Sequence, residues 1–308
     1  LRILQKDEIT ISKKVGSFLK YRIFASKVIK DNNFDFIIVL HTLPGVLITD
    51  ILSKYKNKYL LDYRDSTYEE FKPFKYVIGK LVKWSASTFV SSDAFRKYLP
   101  KSDIIYTSHN ILLNSRSHAE DKEQFGIKSD KIRVAFWGFI RHKKVNTALI
   151  NRLANDKRFE LHYYGREQQI ALDLKAYAKS LKADNVFFNG EYKPQDRYEF
   201  LKSTDVIHNL YKDTNTALAM GNKFYDGIIF RIPQVCIPGS FMGEMCDKYS
   251  VGTSLNPFDE SFADNLERYY RSIETNQFKK NCVSLLSNIL DEYNKGCEIV
   301  KLYVNEEN

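Results

Sequence analysis

The stretch NVFFNGEYKPQDRYEFLKSTDVIHNLY (185–211) decides the reading of the fold. It begins with a short apolar run that stops at Gly190. A polar segment follows, opening with Pro194 and acidic residues suited to the first turn of a helix. From Asp205 to Tyr211 the residues are again those of a strand. Strand, helix and strand in that order imply a parallel βαβ unit.

The alternation continues outward in both directions. Upstream, KIRVAFWG (131–138) and FELHYYG (159–165) read as strands that end in Gly138 and Gly165, and DLKAYAKSLKA (173–183) reads as a helix. Downstream, GNKFYDGIIFRIPQV (221–235) reads as a helix starting near Lys223 and closing before Pro233. QVCIPG (234–239), YSVGTSL (249–255) and a helical region from about Asp259 follow. The first part of the chain has the same grammar. FDFIIVL (34–40), KYLLDYRD (58–65), STFVSS (87–92) and SDIIYTSH (102–109) are expected strands, with helical spacing over 43–55 and 69–84 between them. The polar segment 114–131 is the expected linker, with a short helix inside it. The fold class expected is α/β, with two Rossmann-like domains, 1–120 and 121–308, whose parallel sheets face a cleft. The C-terminal helices are expected to pack back on the first domain.

Composition sets limits on this reading. A chain of 308 residues has room for two domains, and 44% hydrophobic with 28% charged residues is a globular balance. No apolar run approaches the roughly 20 residues of a membrane span. Nothing reads as a secretory leader. Cys236, Cys246, Cys282 and Cys297 lack the paired spacing of a zinc site, and reduced thiols in a cytoplasmic protein are expected. Charge is uneven: residues 1–110 hold 19 Lys and Arg against 11 Asp and Glu, 19 − 11 = +8 of the total +9. Basic amphipathic stretches at 13–30 and 71–84 fit contact with an anionic membrane surface. The alternative is a packed helix with a cationic outer face. No nucleic-acid motif is present.

The candidate site lies in the second half. Gly138, Gly165 and Gly190 at three strand ends allow a ligand to approach backbone closely. Arg141, His142, Lys143 and Lys144 follow Gly138, where cations near a helix N-terminus can hold a diphosphate. Asn222 and Lys223 start the next helix, and Asp226 falls one turn later on about the same face as Lys223. A carboxylate there can accept from both hydroxyls of a ribose, with the lysine complementing a phosphate. The alternative is an ordinary ion pair between Lys223 and Asp226 on a surface turn.

Taken in order, residues 131–270 resemble the C-terminal domain of GT-B-fold glycosyltransferases of the group 1, family-4-like kind, of the bacterial capsular or surface polysaccharide type. The resemblance rests on 185–211, on NKFYDGIIFRIPQV and on GEMCDKYSVGTSLNPFDESFADNL. It implies that Asp226, seven positions before Pro233, binds the donor ribose, and that Arg141 with Lys143 or Lys144 binds the diphosphate. Glu191 and Tyr192 would lie near the base. In two places the chain departs from the family. Leu218 stands where a first glutamate is common, and Arg231 where a glycine is common.

The first half resembles the acceptor domain more loosely. His41 would sit near the donor sugar, and Asp65 would be the general base toward an acceptor hydroxyl. The alternatives are a helix-capping His41 and a structural Arg64–Asp65 pair. LRILQKDEIT (1–10) fits a later strand of that domain better than its opening strand, so an incomplete N-terminal domain is expected.

The function expected is transfer of a hexose from a UDP- or GDP-linked sugar to a lipid-linked saccharide acceptor at the inner face of the cell membrane. No cofactor and no metal are expected. The alternative is a catalytically degenerate homologue serving as a scaffold subunit.

Overall fold

A computed structural model of the chain describes residues 11–120, 131–212 and 216–304. They fall into two units, residues 1–109 with 291–308, and residues 110–290. The reading of 1–10 as a strand lies outside the described residues, as does most of the expected linker. Within that linker, the helix Ser115–Glu120 is described.

Unit 1 holds four parallel strands side by side in chain order: β1 Ile37–Leu40, β2 Tyr59–Tyr63, β3 Ser87–Val90 and β4 Ile105–Thr107. Every residue of β2 and β3 is buried, as expected for inner strands of a parallel sheet. The helix Lys72–Trp84 buries Phe74, Ile78, Leu81 and Val82, and Pro73 sits in its first turn, where no backbone donor is needed. The helical pattern over 43–55 becomes two short helices, Thr42–Leu47 and Thr49–Leu52, divided at Ile48. The basic stretch 13–30 lies in one helix, Ile11–Asn32, with Leu19, Ile23 and Phe24 exposed.

Unit 2 holds six parallel strands: β5 Ile132–Trp137, β6 Phe159–Tyr164, β7 Val186–Phe188, β8 Val206–Asn209, β9 Gln234–Cys236 and β10 Gly252–Ser254. Their spatial order is β10-β9-β8-β5-β6-β7. The chain therefore runs outward from β5 through β7, then returns to the other side of β5. The loops after β5 and β8 flank this reversal, the place where open parallel sheets bind ligands. Beneath the sheet, Val134, Phe136, Leu161, Tyr163 and Val206 pack against Leu149 and Leu153. The helix Lys143–Leu153 buries Val145, Asn146, Leu149, Ile150 and Leu153, an apolar stripe that contains one amide.

The helix Asn222–Phe230 is buried from Phe224 to its end. It lies so close to β9 that a Cβ on Gly227 would meet Gln234 Nε2 at 2.4 Å. The C-terminal region forms two helices, Phe262–Arg271 and Thr275–Val304. The second gives its first part to unit 2 and its last part to unit 1.

Candidate functional site

Three strand ends of unit 2 meet at the predicted glycines. Gly138 N–H donates to Tyr164 O at 2.9 Å, and Gly165 N–H to Gly190 O at 2.7 Å. A Cβ on Gly165 would lie 2.0 Å from Gly138 O, so only glycine lets these two turns touch. Gly138 itself has φ 111°, in the region that favours glycine.

The loop after Gly138 is held from below. Asn146 Nδ2 donates to Arg141 O at 2.6 Å and to His142 O at 3.3 Å, while Tyr163 Oη donates to Asn146 Oδ1 at 3.0 Å. The buried amide and phenol thus fix a turn in which His142 is left-handed, with φ 58°. The predicted cations do not act alike there. Arg141 is exposed, with its guanidinium 4.7 Å from the Phe139 ring centre. Lys143 turns away to an ion pair with Asp173 on the next helix. Lys144 is exposed in the first turn of its helix.

Lys223 does not pair with Asp226, so the ordinary ion pair is not what forms. Its Nζ lies 4.2 Å from the Phe136 ring centre and 5.2 Å from that of Tyr211. It comes within 4.0 Å of where a Cβ on Gly138 would be. Burial pushes its pKa down to about 7, with Arg141 adding to the effect and Asp226 opposing it. Beneath it, His208 stacks on Phe136 at 4.9 Å. Neither ring nitrogen of His208 has a hydrogen-bond partner among the described residues. Burial, with Lys223 and His142 nearby, pushes His208 down to about 3, so the ring is neutral.

Asp226 is 3% exposed. Its Oδ2 accepts from Trp137 Nε1 at 3.0 Å, and Arg197 Nη1 approaches the same oxygen at 3.7 Å. Burial raises its pKa against the pull of Arg197, Trp137 and Lys223. Arg197 is itself fixed by Ser115 Oγ, 2.7 Å from Nη2. Close to this pair, Tyr192 stands edge-on to Phe200, whose ring stacks on Tyr164 at 4.1 Å. Glu191 is exposed, and Asn222 is the exposed first residue of its helix.

The structure therefore gathers Gly138, Arg141 and Lys223 at the switch between β5 and β8, with Asp226 one turn beyond. Gly165 and Gly190 meet at the neighbouring strand ends, and Tyr192 lies near Arg197 and Asp226. An anion reaching this place meets two cations, Arg141 and Lys223, the second with a pKa that burial lowers. Trp137 and Arg197 both meet Asp226 Oδ2, and Oδ1 is the carboxylate oxygen that Trp137 does not engage.

Unit 1 carries the other two candidates. His41 caps the helix Thr42–Leu47, its Nδ1 accepting from Leu43 N–H at 3.4 Å, in a backbone conformation of φ 77°, ψ 150°. This is the capping alternative. Asp65 is exposed beyond β2. Arg64 Nε bonds Asp62 Oδ2 at 2.7 Å, so Asp62 rather than Asp65 is the partner seen for that nitrogen.

Several residues of the site escaped the sequence reading. Trp137 and Arg197 meet Asp226 from 89 and 29 positions away (226 − 137 and 226 − 197). Asn146 was hidden inside an amphipathic helix, where an amide on the apolar stripe was the one signal available. Among the described residues, no three His, Cys, Asp or Glu side chains form a group that could hold a metal ion.

No protein-family model and no curated protein matches the sequence. Solved structures do. A glycosyltransferase from Rickettsia africae superposes with a TM-score of 0.67 at 16% identity, over 98% of this chain and 85% of that one. HepE of Anabaena, solved with UDP and glucose, gives 0.63 at 14% identity over 90% and 80%. Sucrose-phosphate synthase of Thermosynechococcus elongatus gives 0.66 at 11% over 97% and 81%. The fold is GT-B. The α/β class and the two parallel sheets expected from sequence hold. In a GT-B chain the reversal between β5 and β8 belongs to one sheet, and it is here that the cations gather.

Proposed function

We propose that the chain is a glycosyltransferase that moves a sugar from a nucleotide-diphosphate donor to a saccharide acceptor. The observation that carries this is Lys223, held over Phe136 beside Gly138 at the strand-order switch, with the Asp226 carboxylate one turn on. Neighbours of the same fold were solved with UDP and with UDP-glucose.

In this reading the free Asp226 oxygen accepts from a ribose hydroxyl. Lys223 and Arg141 meet the diphosphate, with Lys144 at the rim. As the bond from the sugar to the diphosphate breaks, negative charge grows on the leaving oxygen. Cations fixed before the reaction stabilise that charge more than they stabilise the bound donor. Desolvation makes Lys223 effective, because a charge on an apolar wall interacts more strongly than one in water. Its proton is regained when the anion arrives.

The acceptor side is assigned to unit 1. Asp65, exposed just past β2, is the proposed base for an acceptor hydroxyl, and the +8 of the first 110 residues favours an anionic surface. A lipid-linked acceptor in surface polysaccharide assembly, at the inner face of the cell membrane, accounts for that charge. Among the described residues no helix is long and apolar enough to cross a membrane.

Calorimetric titration with UDP, GDP, ADP and CMP tests the donor site. One diphosphate should bind selectively, and Asp226→Ala should lose it. If the folded wild type takes none of them, the donor reading fails, and a scaffold role for a degenerate homologue moves ahead, as the engagement of Asp226 by Trp137 and Arg197 would then suggest.

A further inference from the structure

We propose that Arg197 is a positioning residue for the donor: anchored on Ser115, it holds the Asp226 carboxylate in its ionised form, the form that accepts from ribose hydroxyls. The role rests on the reading of Asp226 as the ribose carboxylate. Arg197 opens the helix Arg197–Lys202, and its side chain is 11% exposed against 4% for that of Asp226. Two charges taken this far out of water oppose folding unless their geometry offsets the loss. Here the geometry is poor for that purpose. Arg197 Nη1 stands 3.7 Å from Asp226 Oδ2, beyond hydrogen-bond reach. Its Nη2 donates to a neutral partner, Ser115 Oγ, at 2.7 Å, and its buried Nε has no hydrogen-bond partner among the described residues. What Arg197 supplies to Asp226 without a bond is charge, and a cation at this distance favours the ionised carboxylate.

The surroundings of Asp226 call for that charge. Trp137 of β5 gives it one neutral hydrogen bond, Tyr192 stands nearby in the loop after β7, and Lys223 is the other cation, on its own helix. His208, on β8 beside Lys223, is neutral. Burial pushes the Asp226 carboxyl upward, and of the groups that pull it back Arg197 is foremost, ahead of Trp137 and Lys223. Lys223 gives up its proton near pH 7, whereas a guanidinium keeps its own throughout. Above that pH Arg197 is the cation that still faces the carboxylate.

Ser115 fixes where the cation stands. It is fully buried, at the start of the helix Ser115–Glu120. That helix is joined to the helix Arg197–Lys202 a second time, by His118, its titratable group, stacked on Tyr198 at 3.7 Å. The polar segment 114–131 thus supplies a residue to the donor site as well as a connection.

Trp137 provides the test. The chain holds two tryptophans, so in a Trp84→Phe background the fluorescence of Trp137 reports the proton on the carboxyl that its indole bonds. The full chain is titrated without ligand from about pH 4 to about pH 9, and the step that Asp226→Asn abolishes belongs to Asp226. Arg197→Met should move the midpoint up by about one pH unit or more, a tenfold change in proton affinity. Arg197→Lys restores the charge and should bring the midpoint back toward wild type. Ser115→Ala leaves the guanidinium present but unanchored, and should move the midpoint part of the way even where Arg197→Met does not fold. UDP affinity is then compared with wild type at each pH, so that the titrations of UDP and of Lys223 are common to both. Arg197→Met should bind UDP within about twofold of wild type near pH 9, with a deficit that grows to about tenfold as pH falls below the midpoint. A midpoint unmoved in Arg197→Met and Ser115→Ala overturns the proposal and leaves the donor reading standing wherever the wild type binds UDP. A midpoint that rises while the UDP deficit is the same at every pH also overturns it, because Arg197 would then not act through Asp226. A folded wild type that binds neither UDP nor GDP overturns the donor reading itself, and the positioning role falls with it.

Discussion

Trp137 Nε1 donates to Asp226 Oδ2 at 3.0 Å, tying the end of β5 to the helix Asn222–Phe230. The bond orients a buried carboxylate and leaves one of its oxygens for a ligand. Because Asp226 has a raised pKa in the folded chain, its ionised form opposes folding. The cost is absent where the group is protonated in both states. It grows as pH rises from the unfolded value through the folded one, and is complete above that. Asp226→Asn should therefore melt higher than wild type at pH 8, with the gain shrinking toward pH 4. The same variant should bind UDP at least about tenfold more weakly, since a hydrogen bond to a charged group contributes about 1.5–3 kcal/mol. Melting curves across pH and calorimetry check the two halves, and a variant that is less stable at pH 8 contradicts the first.

Lys223 makes the complementary case for a cation. Its pKa is lowered to about 7, so between pH 7 and the ordinary lysine value the unfolded chain holds a proton that the folded chain lacks. Wild-type stability should rise with pH across that window. Lys223→Met removes the penalty, and its advantage should be full below pH 7 and vanish by about pH 10.5. Diphosphate binding restores the charge, so titration of UDP at pH 8 should show proton uptake as a binding enthalpy that depends on the buffer. In Lys223→Met the uptake should disappear along with most of the affinity.

What the sequence disclosed and what it hid follow from the range of the interactions. Strand runs ending in Gly138, Gly165 and Gly190, and the helix opening at Lys223, are local patterns, and each lands where the spacing places it. The break at Ile48 was invisible, because the apolar spacing over 43–55 runs through it unbroken. The partners of Asp226 and the grip of Asn146 on the loop are decided by sheet order, which no local pattern carries. His41 is a mixed case: its place at a strand end was readable, but its left-handed backbone was not.

That backbone has a measurable consequence. His41, at φ 77° and ψ 150°, occupies a region that glycine enters freely and other residues enter at a cost of about 1–3 kcal/mol. The cap it makes to Leu43 N–H is long, at 3.4 Å. His41→Gly should therefore be more stable than His41→Ala by about 1 kcal/mol or more in urea unfolding. Both variants lack the imidazole, so equal loss of transfer in the two would assign the loss to the side chain and not to the backbone.

Asn146 should act through the loop it holds. Asn146→Leu keeps the volume but strips the donors from Arg141 O and His142 O and leaves the Tyr163 hydroxyl unpaired. A cost of about 2–4 kcal/mol is expected, from more than one buried group left unsatisfied. Tyr163→Phe removes one bond from the other side of the same amide and should cost about 1 kcal/mol. If Asn146 positions the cation loop, Asn146→Leu should weaken UDP binding while Tyr163→Phe spares it. Equal loss of affinity in both would mean that only stability had changed.

Arg231 closes the helix Asn222–Phe230 in a left-handed conformation, φ 55° and ψ 45°, where its N–H caps Gly227 O and Ile228 O. Helices commonly end on such a residue, and glycine adopts it without a Cβ clash. The departure noted in the sequence at Arg231 therefore falls on a left-handed cap. Arg231→Gly relieves the clash but gains backbone entropy in the unfolded chain, and the two effects oppose each other. Left-handed strain is the larger, at about 1–2 kcal/mol, against about 0.5–1 kcal/mol for the entropy. Arg231→Gly should therefore raise stability by about 0.5–1 kcal/mol in urea unfolding, while Arg231→Ala, which keeps the Cβ, should not. Lys223 and Asp226 share this helix, so UDP affinity in Arg231→Gly should stay at the wild-type value if the cap serves only the fold.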